Sequence, residues 1–148
     1  MRRRVKIVKY RYLFKGKTCN GKWVSGFLHC KENKWYISNK AGAPFAFEVR
    51  PDTICQCTGL KDKNGKLIWE GDIILFQRDN DDCPFPDKDT KKRLGKVFYK
   101  DFRTTFAIEM GKSGSGSLND DLWKYVQNGN RVEVIGNIFD DPELIKER

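Results

Sequence analysis

The chain has 148 residues, the size of one domain or of two small abutting lobes, and can bury about two thirds of its unfolded surface without metals or disulfides. Apolar residues at 39% and charged residues at 33% exclude a disordered chain, and no stretch approaches the roughly 20 apolar residues of a membrane span. The net charge of +9 is lodged in the first third: residues 1–50 carry 13 Lys and Arg against 2 acids, residues 51–148 carry 16 against 18. A single-sign field of that kind draws nucleic acid or acidic protein surfaces.

In chain order, Met1 to Arg4 imitates the basic start of a signal peptide, but Lys6, Lys9 and Arg11 interrupt every apolar stretch that follows, so the protein is expected in the cytoplasm. Basic and apolar residues interleave with period two from Val5 to Leu13, which predicts a strand. Asn20-Gly21 predicts a turn, with strands over Trp23 to His29 and Trp35 to Ser38. Asn39 to Pro44 reads as loop and Phe45 to Val49 as a strand ended by Pro51. Asn64-Gly65, with Leu60 before it and Leu67, Ile68 and Trp69 after it, predicts a tight hairpin of type I′. Gly71-Asp72 is a second turn, leading into a core strand over Ile73 to Phe76.

Residues Gln77 to Arg93 are polar and contain Pro84 and Pro86, the composition of a long loop. Strands are expected again at Gly95 to Tyr99 and Thr104 to Met110, followed by a Gly/Ser linker over Gly111 to Ser117. Asn119 or Asp120 is placed to cap a short helix over Leu122 to Gln127, with Gly129 past its end. Arg131 to Ile138 alternates, and Asp141-Pro142 reads as a cap and first position of a last helical turn. The expected class is mainly β: an antiparallel N-terminal β region over residues 1–57, then an SH3-like barrel of five short strands over 58–148 with one or two short helices.

Most candidate chemistry fails on spacing. Gly111-Lys112-Ser113 ends like a phosphate-binding loop, but that motif needs Gly where Phe106 stands. Asp79, Asp81, Asp82, Asp87 and Asp89 suggest a calcium loop, but counting from Asp79 puts Pro84 at the Gly position and Thr90 at the Glu position. His29, Cys30, Cys55 and Cys57 are a conceivable zinc set; the single residue between the last two is shorter than the usual knuckle, and strand cysteines pack as small hydrophobes. An odd count of five cysteines predicts reduced thiols. Glu70 and Asp72 are paired carboxylates beside a turn, where turn bonding is the plainer role than catalysis. No cofactor is implied.

The strongest functional pointer is the N-terminal segment. Arg2, Arg3, Arg4, Lys6, Lys9, Arg11, Lys15 and Lys17 interleave with Tyr10, Tyr12 and Phe14, setting phosphate-neutralising charge beside stacking surfaces, as in single-strand binders. The plainer reading is a solvated arm whose lysines guard a sheet edge.

The stretch TGLKDKNGKLIWEGDII from Thr58 to Ile74 resembles the signature of the YopX family of phage and prophage proteins, and VEVIGNIFDDPEL from Val132 to Leu144 resembles its C-terminal signature. KWVSGFL from Lys22 and VKYR from Val8 are similar to weaker N-terminal elements. The resemblance implies an SH3-like barrel with an added N-terminal β region, encoded by a bacteriophage or prophage and working in the cytoplasm of a bacterial host. It supplies no catalytic residues, so a non-enzymatic accessory role is expected. The family's usual Val-Gly-Gln-Tyr before the signature stands here as Ile54, Cys55, Gln56 and Cys57, which weakens the zinc set. The expected partner is a host or phage protein, with nucleic acid on the basic face as the alternative. Inhibition of a host defence or replication protein is a third reading. Exposed strand edges leave homo-oligomers open, and no membrane partner is expected.

Overall fold

The computed structural model describes residues 12–38, 45–77, 92–113, 116–127 and 129–145, excluding the side chains of 112, 113, 116 and 117. The class is mainly β, in two antiparallel sheets. Strands β1 (Phe14–Lys17), β2 (Trp23–Lys31), β3 (Lys34–Ser38), β4 (Ala46–Val49), β5 (Cys55–Lys61) and β6 (Leu67–Trp69) give the first sheet, in order β4-β3-β2-β1-β5-β6. Strands β7 (Asp72–Gln77), β8 (Lys92–Lys100), β9 (Thr105–Ser113), β10 (Gly116–Asp121) and β11 (Val132–Asn137) give the second, in order β10-β9-β8-β7-β11, with one helix, α1 (Leu122–Val126). The chain divides into two compact units, Met1–Gly59 and Leu60–Arg148, and β5 carries the backbone from one to the other.

In the first unit, Gly21 turns the chain with φ +77° between β1 and β2, as Asn20-Gly21 predicts. The β2–β3 turn has no glycine: Glu32 and Asn33 both take left-handed φ, 53° and 65°. The strand expected over Val5 to Leu13 falls mostly outside the described residues; its described end, Tyr12 and Leu13, is not strand, and pairing starts at Phe14. Ile37, Val49, Cys55, Cys57 and Thr53 are buried. Thr53 clips a 3₁₀ turn over Pro51–Thr53 to β1, its Oγ1 accepting the Lys17 N–H at 2.8 Å and donating to the Arg50 carbonyl at 2.7 Å.

The second unit is built on Ile68, Ile74, Phe76, Val97, Ile108, Leu122, Tyr125 and Val132, all buried in one cluster. Alternation explains it: Ile74 and Phe76 share one face of β7, and Phe76 meets Tyr125 edge-on at 5.3 Å. The β5–β6 hairpin forms where expected, but its turn is not type I′. The Gly65 N–H bonds the Asp62 carbonyl at 3.0 Å, so Lys63 and Asn64 are the central residues and neither has positive φ, while Gly65 behind them takes φ +81°, giving a type I turn followed by a left-handed glycine. Asp62 decides this choice by accepting the N–H groups of Asn64 and Lys66 at 2.9 Å each.

Three other expectations are corrected. Gly111 to Ser117 is not a linker: Gly111 to Ser113 continues β9, Gly116 begins β10, and the two strands pair with a bulge at Met110, where Gly111 supplies φ +125°. Asn119 and Asp120 are strand residues, and the helix cap position is Asp121. The second sheet gains β10 and leaves β6 to the first; among the described residues its ladder runs from β10 to β11 without a pairing that closes it. Most of the loop from Gln77 to Arg93, with its aspartates, lies outside the described residues, as does the loop from Asn39 to Pro44.

Candidate nucleic-acid interface

The β1–β2 hairpin carries the described part of the basic segment. Lys17 stands opposite Trp23 in the ladder and Lys15 opposite Ser25, so both lysines share a face with Trp23. Their ammonium groups lie over the indole ring, Lys15 Nζ 4.7 Å and Lys17 Nζ 5.3 Å from its centroid. Each contact contributes about 0.5–1 kcal/mol at an exposed site and keeps two cations beside one large aromatic surface. The hairpin is held from behind: Gly16 packs against Val49, which leaves 3.0 Å for any added Cβ, and the backbone of Lys17 is bonded to both Thr53 and Arg50.

Of the other expected contact residues, Tyr12 is 63% exposed just ahead of β1, while Arg2, Arg3, Arg4, Lys6, Lys9, Tyr10 and Arg11 lie outside the described residues. Further along the sheet His29 stacks on Tyr36 at 5.6 Å, and Phe45 and Phe47 are exposed at β4. Beside the 3₁₀ turn, Arg50 hydrogen-bonds Asp52 at 3.2 Å and holds that carboxyl below its ordinary range.

The conceivable zinc set does not gather. His29 and Cys30 are exposed on β2, whereas Cys55 and Cys57 are buried on β5, with the Cys55 thiol donating to the Thr53 carbonyl at 3.3 Å. Among the described residues no three His, Cys, Asp or Glu side chains are grouped to hold a metal ion. Lys112 lies in β9, not in a phosphate-binding loop.

Both buried carboxylates of the second unit are bound to backbone. Asp72 accepts the Trp69 N–H at 2.8 Å across the β6–β7 turn, where Gly71 takes φ +86°. Asp62, only 4% exposed, reaches through its second oxygen to the Val134 N–H at 2.9 Å, while Lys63 N–H bonds the Val132 carbonyl and Asn130 bonds the Lys61 carbonyl. The hairpin tip is thus clasped onto β11. Sequence reading missed this clasp, although an Asp at the first position of an Asp-Lys-Asn-Gly turn is its usual signal. The meeting of Lys15 and Lys17 with Trp23 was not legible, because it depends on Lys17 standing opposite Trp23, whereas a two-residue Asn20-Gly21 turn would set Thr18 there.

Asp120 is the other organising acid. Burial opposes its charge, but hydrogen bonds from Tyr125 Oη at 2.8 Å and Lys124 Nζ at 3.1 Å prevail and lower its pKa.

The described chain is therefore a mainly β protein with a basic, aromatic hairpin in one unit and a clasped core in the other. A family model described as YopX protein matches residues 4–146, and the chain belongs to that family. Comparison with curated proteins gives no match. Among the described residues no helix is long and apolar enough to cross a membrane.

Proposed function

We propose that this is a phage-type accessory protein that acts by binding rather than catalysis, and that its first unit binds single-stranded nucleic acid. The observation that carries the reading is the pair of ammonium groups held around Trp23, in the part of the chain that holds all the excess positive charge. Cations beside an aromatic surface supply the two things a single strand offers contacts for, phosphates and base faces. Tyr12 and the arginines ahead of it extend the same chemistry. Among the described residues the two buried carboxylates of the second unit support binding over catalysis, because Asp62 and Asp72 both accept backbone N–H groups and so have a structural role.

Fluorescence anisotropy of a labelled oligothymidylate tests this. Affinity is expected to fall by about 300-fold between 50 and 200 mM salt if six or so phosphates are contacted. Trp23→Ala is expected to cost about 1–3 kcal/mol, and neutralising Arg2, Arg3 and Arg4 to flatten the salt slope. Absent or salt-insensitive binding at low ionic strength overturns the reading.

A second reading, a host or phage protein partner, is favoured by Phe102 and Trp123 of the second unit, 85% and 58% exposed. Large exposed aromatics are the common anchors of protein interfaces, and the SH3-like module that the family resemblance implies is of a kind that often serves as such. A pull-down that survives nuclease treatment and is lost in Phe102→Ala supports it; capture unchanged by Phe102→Ala and Trp123→Ala contradicts it.

A further inference from the structure

Alternation along β2 puts Trp23, Ser25, Phe27, His29 and Lys31 on one face of the strand and Val24, Leu28 and Cys30 on the other. The register extends each face across the sheet: Lys17 stands opposite Trp23, Tyr36 opposite both His29 and Glu48, and Lys34 opposite Lys31. Val24, Leu28 and Cys30 mark the inner face. Gly16, opposite Val24, packs on Val49, and Ile37, opposite Leu28, is buried. Both halves of β2 therefore keep one inner face, although Gly26 between them takes φ +154°.

The outer face carries aromatic rings and cations at both ends of β2. Lys15, Lys17 and Trp23 occupy one end. At the other, the exposed His29 stacks on Tyr36, ring centroids 5.6 Å apart and planes at 17°, and Lys31 and Lys34 are exposed in the next row. Cross-strand stacking contributes about 0.2–1 kcal/mol to the sheet, which accounts for the contact but not for cations beside both sets of rings. The charge of this region does not depend on undescribed neighbours in residues 1–50. Those residues hold two acids, Glu32 and Glu48, both described, against 13 Lys and Arg, and residues 1–11 and 39–44 contain no acid. Glu48, on the far side of Tyr36 from His29, disfavours phosphate there and leaves Lys31 and Lys34 as its contacts.

We infer that the His29–Tyr36 stack is a second base-stacking platform, with Lys31 and Lys34 as its phosphate contacts, so that one nucleic-acid strand runs along the outer face of β2 from Trp23 to His29. The stretch of β2 from Trp23 to His29 spans at most about 20 Å, the length of about six stacked nucleotides at roughly 3.4 Å each. This rests on the reading of the first unit as a single-strand binder, and adds to it a second platform and a length of strand.

The full chain, its His29→Ala variant, its Trp23→Ala variant and a variant with Lys31 and Lys34 changed to Gln test it. Each is titrated by anisotropy with labelled oligothymidylates of about two, six and ten nucleotides, and with an abasic strand as long as the longest. Parent affinity is expected to rise by about tenfold or more between the two shorter strands, as the second platform is reached. His29→Ala is expected to weaken the two longer strands by about tenfold and the abasic strand not at all, with a thermal midpoint within a few degrees of the parent's. The lysine variant is expected to lower the salt slope by about 1.4, at roughly 0.7 per phosphate of a single strand. Equal weakening of the abasic strand by His29→Ala overturns the stacking role. Parent-like affinity of His29→Ala at every length, with a parent-like slope in the lysine variant, overturns the second platform; if Trp23→Ala still weakens binding, the reading of the first unit stands without it. Absence of binding by the parent at low ionic strength overturns both. His29, Lys31 and Lys34 are exposed, so a folding failure does not mimic these losses.

Discussion

The two units use charge in opposite ways. In the second, carboxylates are drawn inward and bonded to the backbone: Asp62 alone takes three N–H groups and ties the hairpin tip to β11. In the first, cations gather on one face of a hairpin around Trp23. The cores differ in the same sense, since among the described residues the buried apolar side chains number four in the first unit, Ile37, Val49, Cys55 and Cys57, and ten in the second. If the proposed function holds, the second unit serves stability and the first contact, so substitutions should separate into those that unfold the protein and those that disarm it.

The largest expected effect is at the clasp. Asp62→Ala leaves three backbone donors without their acceptor, and a loss of about 3 kcal/mol or more is expected in chemical denaturation. A loss under about 1 kcal/mol would mean the hairpin holds to β11 without its carboxylate.

Next comes a pair of glycine substitutions, one in each unit. A Cβ on Gly95 would run onto Ile108 Cγ2, with Phe76 and the Glu109 carbonyl close behind, in the packed cluster. Gly95→Ala is expected to cost about 3 kcal/mol, at the upper end of overpacking penalties. Gly16→Ala meets Val49 first, at 3.0 Å, and about 1 kcal/mol is expected. Equal losses would contradict the difference in packing between the units.

The smallest effect concerns acid. The lowered pKa of Asp120 means that its bonds to Tyr125 and Lys124 contribute stability above the ordinary carboxylate range, and that this contribution is lost as pH falls through the lowered value. Because the pair is partly exposed and screened, less than about 1 kcal/mol is expected. Asp120→Asn should therefore differ from the parent in unfolding midpoint near pH 6, and the gap should close as pH falls through the lowered pKa of Asp120. A constant gap would assign the role of Asp120 to packing.

The strand after Asn20-Gly21 and the hairpin at Asn64-Gly65 were legible in the sequence because apolar alternation and a glycine that accepts positive φ specify them locally, whereas β1 at Phe14–Lys17 lies beyond the strand expected over Val5 to Leu13. What was not legible depended on partners distant along the chain. Asp62 converts a type I′ turn into a type I turn by collecting N–H groups, one of them 72 residues away. Gly111 to Ser117 has the composition of a linker, yet β10 pairs back onto β9 and the glycine serves a bulge. Glu32 and Asn33 turn without glycine, so composition gave no sign of them. At the interface, the charge excess was plain in the sequence, whereas the meeting of Lys15 and Lys17 on Trp23 required the ladder register.

The most direct test of this division is one variant measured twice. With Lys15 and Lys17 changed to Gln and Trp23 to Ala, oligothymidylate binding is expected to be lost at a salt concentration where the parent binds, while the thermal midpoint stays within a few degrees. Retained binding with the parent's salt slope would contradict the account.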